Sequence, residues 1–471
     1  MTTAFPSEFE HYAESMTDIV STLHTMGADK AIIKVLPKNA NDKNQIYFSS
    51  SFSSLYNNFD LTISERGAST SMTKGKSVPG SYIPEAIFKQ FAWAKRDGSQ
   101  IKAKNVKVIV YTQYPEARLS GFVTVQNTMP QSLSIAYTKQ NPAMKRLLVL
   151  ARLPGGACIG LVFIDLSDAL LAEIAALPGL EGSKVCKELI IDLGLSEKLF
   201  TRLAALVSQP MKGCRLDAFG NTLPFTGTQV CGYTLEHALG IVPNSCKDGD
   251  IDGIELKTHT QVKVTLFTPE PDFGMYTEGF EAFMRKYGYE SEGDWRLTGI
   301  HRANERCAKS GLTLKVRELR QLDTGVIKPF PYDSATSLTS KMGSVDVVLE
   351  DDLGFVAAGW SLERLMNNWG VKHNEVIYIS ASKADNPNAV EVEQGFQYQV
   401  TFAPKVIWCR ETSAEHLLRA ICNGIIFLDP APKFVPGDPK KNKRRAQWRV
   451  NDISKATIDL YDRVEIRNLI I

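Results

Sequence analysis

The sequence predicts an α/β fold for the longer, C-terminal part of the chain and a separate α+β domain before it. Three observations carry this. The 471 residues exceed what one ordinary core fills, so two domains are expected. Strands and helices alternate after about residue 190, which implies a sheet with helices on its faces. Before that, a helical stretch at Ser167–Leu177 runs into Pro178-Gly179, a strong breaker. The expected division is therefore residues 1–180 and 183–471.

Composition narrows the class. Hydrophobic residues make up 44% and charged residues 23%, which excludes a disordered or fibrous chain. A net charge of +2 says little about partners, because a balanced total can hide local basic patches. The N-terminus, Met1-Thr-Thr-Ala-Phe-Pro, lacks a secretory pattern, and the longest apolar runs fall far below spanning length. A soluble, cytoplasmic protein is expected. The eight cysteines include no Cys-x-x-Cys pair, so they read as small buried hydrophobes rather than zinc ligands or a disulfide framework.

In the first part, Val106–Thr112 and Leu147–Leu153 have the apolar, branched content of buried strands. In the second, Ser196–Val207 places Leu199, Leu203 and Leu206 on one helical face, and Tyr233–Leu239 makes a short helix stopped by Gly240. Between them Leu216–Gln229 reads as a loop. Ile254-Glu-Leu-Lys257 alternates as a strand, with Glu255 and Lys257 on one face. Val262, Val264 and Leu266 repeat the period of two and are expected to pair beside it. Leu362, Leu365, Met366 and Trp369 mark a helix capped by Ser361, and Val376–Ile379 a strand. Thr412 and Glu415 have capping-box spacing ahead of a helix ended by Gly424.

The segment from Thr234 to His259 carries the chemistry. Hydrolysis of a phosphodiester needs oxygen ligands for a hard divalent cation, an activated water and positive charge at the phosphate. Asp250 and Glu255 offer the carboxylates, and Lys257 offers the charge from the face that Glu255 shares. A turn at Gly249 or Gly253 would bring Asp250 alongside. An Asp followed by Glu-x-Lys also fits the solvated face of a half-exposed strand, so the three residues alone do not decide.

The flanks do more. Gly232-Tyr-Thr-Leu-Glu-His-Ala-Leu-Gly-Ile, continuing through Gly253-Ile-Glu-Leu-Lys-Thr, resembles the MvaI/BcnI family of restriction endonucleases. It is also similar to the mismatch-repair nickase MutH. Both belong to the PD-(D/E)xK nucleases. The resemblance continues in Thr265-Leu-Phe-Thr-Pro-Glu-Pro, Trp360–His373, Gly424-Ile-Ile-Phe-Leu-Asp429-Pro and Gln447-Trp-Arg-Val-Asn451, and so covers most of 190–471. It implies a restriction-endonuclease-like mixed sheet flanked by helices. It also implies Mg2+ as cofactor, double-stranded DNA as substrate, and sequence-specific cleavage leaving a 5′-phosphate. Carried over, it makes Asp250 and Glu255 the metal ligands, places Lys257 at the attacking water or scissile phosphate, and makes Glu236, just before Leu239-Gly240, an auxiliary carboxylate. Asp248 and Asp252 compete with Asp250. Asp250 is preferred because its distance from Glu236 suits the MutH-like arrangement.

Other residues carry two readings each. His259 shares the face of Lys257 and either touches DNA or ends a strand. His373 is equally a base contact or a structural polar residue. From Pro436 to Arg449 the chain has Lys440, Lys441, Lys443, Arg444, Arg445 and Arg449 against the single acidic Asp438. Such a run is a solvated loop or, with Gln447 and Trp448 interleaved, a DNA-contacting element in which Lys443, Arg444, Arg445, Gln447 and Arg449 meet phosphates and purine edges. The N-terminal part shows no catalytic pattern; Tyr111–Phe122, with Tyr114 and Arg118, is as well core and turn. A role for it in DNA binding rests on analogy with relatives that carry such a module. A strand-specific nickase and a catalytically degenerate DNA-binding protein remain the rival functions.

Overall fold

The computed structural model describes residues 5–36, 46–49, 53–56, 58–65, 84–111, 116–180, 183–191, 194–242, 250–251, 253–335, 338, 342–370 and 373–470. Asp248, Gly249, Asp252 and Tyr114 lie outside them. The chain divides into two compact units. The first holds Met1–Leu193 together with Gln321–Val326 and Ser334–Ser344, and the second holds the remainder.

The first unit is built on a seven-stranded sheet and a five-stranded antiparallel sheet. Arg146–Arg152 and Cys158–Ile164 form the central hairpin of the larger sheet. Both are rich in Leu, Val and Ile and almost wholly buried, as strands covered on both faces must be. Helices Met16–Thr25 and Asp168–Ala176 pack Ile19, Leu23, Leu170 and Ile174 onto Ile33, Val149 and Leu161. Each begins at a serine, Ser15 or Ser167, whose hydroxyl accepts a backbone N–H of the first turn.

The second unit follows the alternation seen in the sequence. Its elements are α1 (Leu195–Ala204), α2 (Val230–Ala238), β1 (Glu255–His259), β2 (Val264–Phe267), α3 (Leu362–Trp369) and β3 (Glu375–Asp385). They continue with β4 (Tyr398–Arg410), α4 (Ala414–Cys422), β5 (Ile426–Leu428), β6 (Trp448–Val450), α5 (Ile453–Leu460) and β7 (Arg463–Asn468). The principal sheet is mixed. β1 runs parallel to β3, while β3–β4 and β4–β7 are antiparallel. On one face α1 and α2 bury Leu199, Leu203, Val230 and Leu235 against Ile377, Ile379, Val400 and Val406.

Three expectations need correcting. β2 does not pair with β1; it pairs antiparallel with β6 in a separate three-stranded sheet with β5. The chain bends at Thr260–Gln261 after β1, and Val262 is 60% exposed, so the alternating pattern resumes in another layer. β1 therefore ends its sheet with one edge facing the cleft described below. The cap of α4 is Ser413, whose hydroxyl accepts the His416 N–H, one residue later than the spacing suggested. Thr412 instead donates to the Leu460 carbonyl at 2.7 Å. Within Leu216–Gln229, Thr222–Pro224 is a strand that pairs with Cys214–Leu216.

Cys158, Cys186, Cys214, Cys231, Cys307 and Cys409 are free and buried. Among the described residues no helix is long and apolar enough to cross a membrane.

Candidate active site and nucleic-acid interface

Gly253 sets the geometry. Its φ of 82°, a region in which only glycine is at ease, closes a turn in which the Ile254 N–H donates to the Ile251 carbonyl at 2.7 Å. The turn lays Asp250 back along the start of β1. Its N–H donates to the Ile254 carbonyl at 3.0 Å, and its Oδ2 accepts the Leu256 N–H at 2.8 Å. On β1, Glu255 is buried and Lys257 half-buried, and Lys257 Nζ stands 2.7 Å from Glu255 Oε1. Strand alternation brings these two side chains together, and the buried carboxylate keeps the ammonium beside it.

These groups open into a cleft of about 820 Å³. Its walls include Glu236, Asp250, Glu255, Lys257 and His259, and also Arg444, Arg445, Gln447 and Arg449. Glu236 arrives from α2, along with Gly232 and the half-buried Tyr233, whose ring packs on Phe225 with centroids 4.7 Å apart. His259 ends β1 with Nδ1 2.9 Å from the Gln261 carbonyl. Burial lowers its pKa, and that hydrogen bond partly opposes the effect.

The basic run begins in a 3-10 turn, Pro439–Lys441, and from Lys443 its backbone pairs with 429–433 up to β6. Backbone bonds from Lys443 N–H to the Lys433 carbonyl, Ala431 N–H to the Arg445 carbonyl and Asp429 N–H to the Gln447 carbonyl extend the β5–β6 ladder. Alternation then sorts the side chains. Ala446, Trp448 and Val450 are buried, while Arg445, Gln447 and Arg449 line the cleft. Arg449 Nη1 and Lys263 Nζ each lie 2.9 Å from Asp429 Oδ2. Arg444 sits over the Phe280 ring, 4.7 Å from its centroid, and 3.6 Å from Glu270. Lys443 is exposed but is not on the cleft wall.

His373 is 0% exposed, and its ring stacks on Trp369 with centroids 4.3 Å and planes 12° apart, which favours the structural of its two readings over a base contact. Asp429, which the sequence marks only as part of a family-like motif, meets Lys263 across 166 residues with no local signal to announce the pairing.

Among the described residues no cluster of three or more His, Cys, Asp and Glu side chains is arranged to hold a metal ion. Two carboxylates close in sequence, Asp250 and Glu255, nevertheless face one cleft. That is the donor set of a hard cation such as Mg2+, which takes one or two carboxylates and completes its shell with waters and substrate phosphate.

Comparison with known proteins gives one family. The profile described as the MvaI/BcnI restriction endonuclease family matches residues 220–460. The chain is also similar to the solved structure titled "Restriction endonuclease MvaI-cognate DNA substrate complex", at 17% identity and a TM-score of 0.42, over 60% of this chain and 100% of that one. A second, "Restriction endonuclease MvaI in the absence of DNA", matches at 16% identity and a TM-score of 0.29, over 58% and 99%. No curated protein matches.

Proposed function

The chain belongs to the MvaI/BcnI restriction endonuclease family, and from that premise we propose that it is a Mg2+-dependent endonuclease cutting double-stranded DNA at a specific sequence. The observation that carries the proposal is one cleft. It is lined by Glu236, Asp250, Glu255 and Lys257 together with Arg444, Arg445, Gln447 and Arg449.

In this reading Asp250 and Glu255 would hold the cation. When bound, the cation activates water and offsets charge at the scissile phosphate. Lys257 contacts the attacking water or a phosphate oxygen, held in place by Glu255. Asp250 is fixed by its bond from the Leu256 N–H, so little reorganisation is needed on binding substrate. Glu236 supplies a further carboxylate at the rim. Arg445, Gln447 and Arg449 project at alternate positions, a spacing that lets one strand meet successive groups along a groove. Hydrolysis leaves a 5′-phosphate. Residues 1–180 are assigned as a separate DNA-binding domain that raises the local concentration of duplex at the cleft.

The test is incubation with supercoiled plasmid in Mg2+ or in chelator, followed by sequencing of the ends. Discrete linear products with 5′-phosphates in Mg2+ alone are expected. Nicked circles that persist point to a strand nickase, and intact plasmid in Mg2+ overturns the proposal.

A further inference from the structure

Two cations of the cleft wall share one carboxylate oxygen. Asp429 Oδ2 accepts from Lys263 Nζ and from Arg449 Nη1, each at 2.9 Å. The side chains of Asp429, Lys263 and Arg449 are 23%, 30% and 25% exposed, so the cluster is neither sealed in the core nor free in solvent. Lys263 and Arg449 line the cleft, whereas Asp429 is not on its wall.

The three-stranded sheet brings these groups together. Arg449 lies on β6, its central strand, with Thr265 of β2 and Phe427 of β5 as register partners. Asp429 stands two residues beyond Phe427, and its N–H bonds to the Gln447 carbonyl. Asp429 therefore projects from the face that carries Arg449. Lys263, just before β2, reaches the same oxygen across the Phe427 ring, 5.3 Å from its centroid. Arg449 Nε is buried with no hydrogen-bond partner among the described residues. With Nε buried and Nη1 held, the outer end of the guanidinium is the part that a ligand in the cleft meets.

The charges do not balance. Two cations against one carboxylate leave a net positive charge that is only half exposed, which is unfavourable for stability alone and suits a negatively charged ligand. An unrestrained lysine or arginine in such a cleft takes the nearest phosphate, whatever the sequence. A carboxylate that holds both makes that contact cost an ion pair. It also fixes a planar fork of donors, whose geometry then matches a base edge at one position only.

We propose that Asp429 is a specificity-determining positioning residue, which keeps Arg449 aimed at a base edge and restrains Arg449 and Lys263 from the phosphates of any duplex. The inference rests on the reading of the cleft as the duplex-binding site.

The full-length protein is compared with Asp429→Asn, Asp429→Ala and Lys263→Met. One probe is a labelled duplex in which the cleavage site found by end sequencing is scrambled; its binding is followed over a salt series. The others are the intact site and sites altered at one base pair, for which kcat/KM is measured. Asp429→Asn removes one negative charge, so it is expected to bind the scrambled duplex about fivefold to tenfold more tightly at about 0.1 M salt, with a log–log slope steeper by about one unit. Its preference for the intact site should fall about 10-fold or more at one position of the site. Asp429→Ala should do the same. Lys263→Met leaves the bond between Asp429 and Arg449, and should weaken binding to the scrambled duplex and flatten the slope by about one unit.

An Asp429 that only braces the sheet gives the opposite sign: its variants melt earlier and bind every duplex more weakly, which overturns the proposal. Folded Asp429→Asn with unchanged slope and preference overturns it as well. If one Asp429 variant does not fold, the other decides; if neither folds, the residue is structural and the proposal falls. A wild-type protein that neither cuts DNA nor prefers any sequence overturns the endonuclease reading and this role with it. One that cuts at a defined site beside an equally selective Asp429→Asn overturns the role of Asp429 only.

Discussion

The Lys257–Glu255 pair offers the sharpest energetic test. At 2.7 Å, with the two side chains 22% and 4% exposed, the attraction at an effective dielectric of 20 is about 6 kcal/mol. Desolvation of the carboxylate opposes most of that, and the exposed part of the lysine screens more. A net coupling of about 2 kcal/mol is expected, within the range that double-mutant cycles find for close charge pairs. Glu255→Gln, Lys257→Met and the double variant are compared by denaturant and by thermal unfolding without metal, following a signal from the C-terminal unit. Lys257→Met alone should lower its thermal midpoint by about 4–8 °C, given the size of that unit. It should also abolish cleavage while leaving duplex affinity nearly intact, because the lysine meets one phosphate among many that the protein engages. A coupling energy under about 0.5 kcal/mol, or cleavage by Lys257→Met near the wild-type rate, refutes the assignment of this pair.

Other outcomes follow from the same geometry. Asp250→Ala and Glu255→Ala should lose cleavage that added Mg2+ does not restore, and an active Asp250→Ala beside an inactive Asp248→Ala would move the ligand. Neutralising Lys443, Arg444 and Arg445 together should weaken duplex binding and flatten its salt dependence by about one log–log unit for each phosphate that the variant no longer neutralises; an unchanged slope returns the run to a structural role. His301 is buried with Nε2 2.7 Å from Ser310 Oγ, and burial lowers its pKa from 6.5 to about 4. The folded state therefore binds fewer protons than the unfolded one between those values. Stability worth about 3 kcal/mol is fully present above the unfolded pKa and is lost as pH falls through 6.5 toward 4. His301→Gln should flatten that acid limb in denaturation series, and an unchanged limb would rule His301 out as its source. Finally, residues 194–471 alone should bind duplex more weakly than the full chain; equal affinity, with no duplex retained by the N-terminal part, removes the DNA-binding role proposed for residues 1–180.

The sequence by itself determined what is local. The alternation Glu255-x-Lys257 forces two side chains to one face of a strand whatever surrounds it. A glycine turn beside Asp250 was legible as Gly249 or Gly253, and the structure shows a positive φ at Gly253. Ser167 and Ser361 announced their helices, since a cap acts within one turn. The flanking motifs that resemble the MvaI/BcnI family pointed to the fold class, for they run through β1 of the principal sheet and through β2, β5 and β6 of the three-stranded one.

What depends on contacts distant in sequence was decided only by tertiary structure. Val264 and Leu266 carry the same period of two whether they pair with β1 or with β6, and periodicity names no partner. His373 follows a helix in a polar context, and its burial depends on Trp369 and on Tyr461 far along the chain. Thr412 and Ser413 are both competent caps, and the choice fell to Ser413 because the Thr412 hydroxyl is engaged with Leu460. The end of the basic run, from Lys443, extends along the β5 side because its backbone bonds to residues 429–433. That pairing, which no local pattern encodes, aims Arg445, Gln447 and Arg449 into the cleft that holds Asp250 and Glu255.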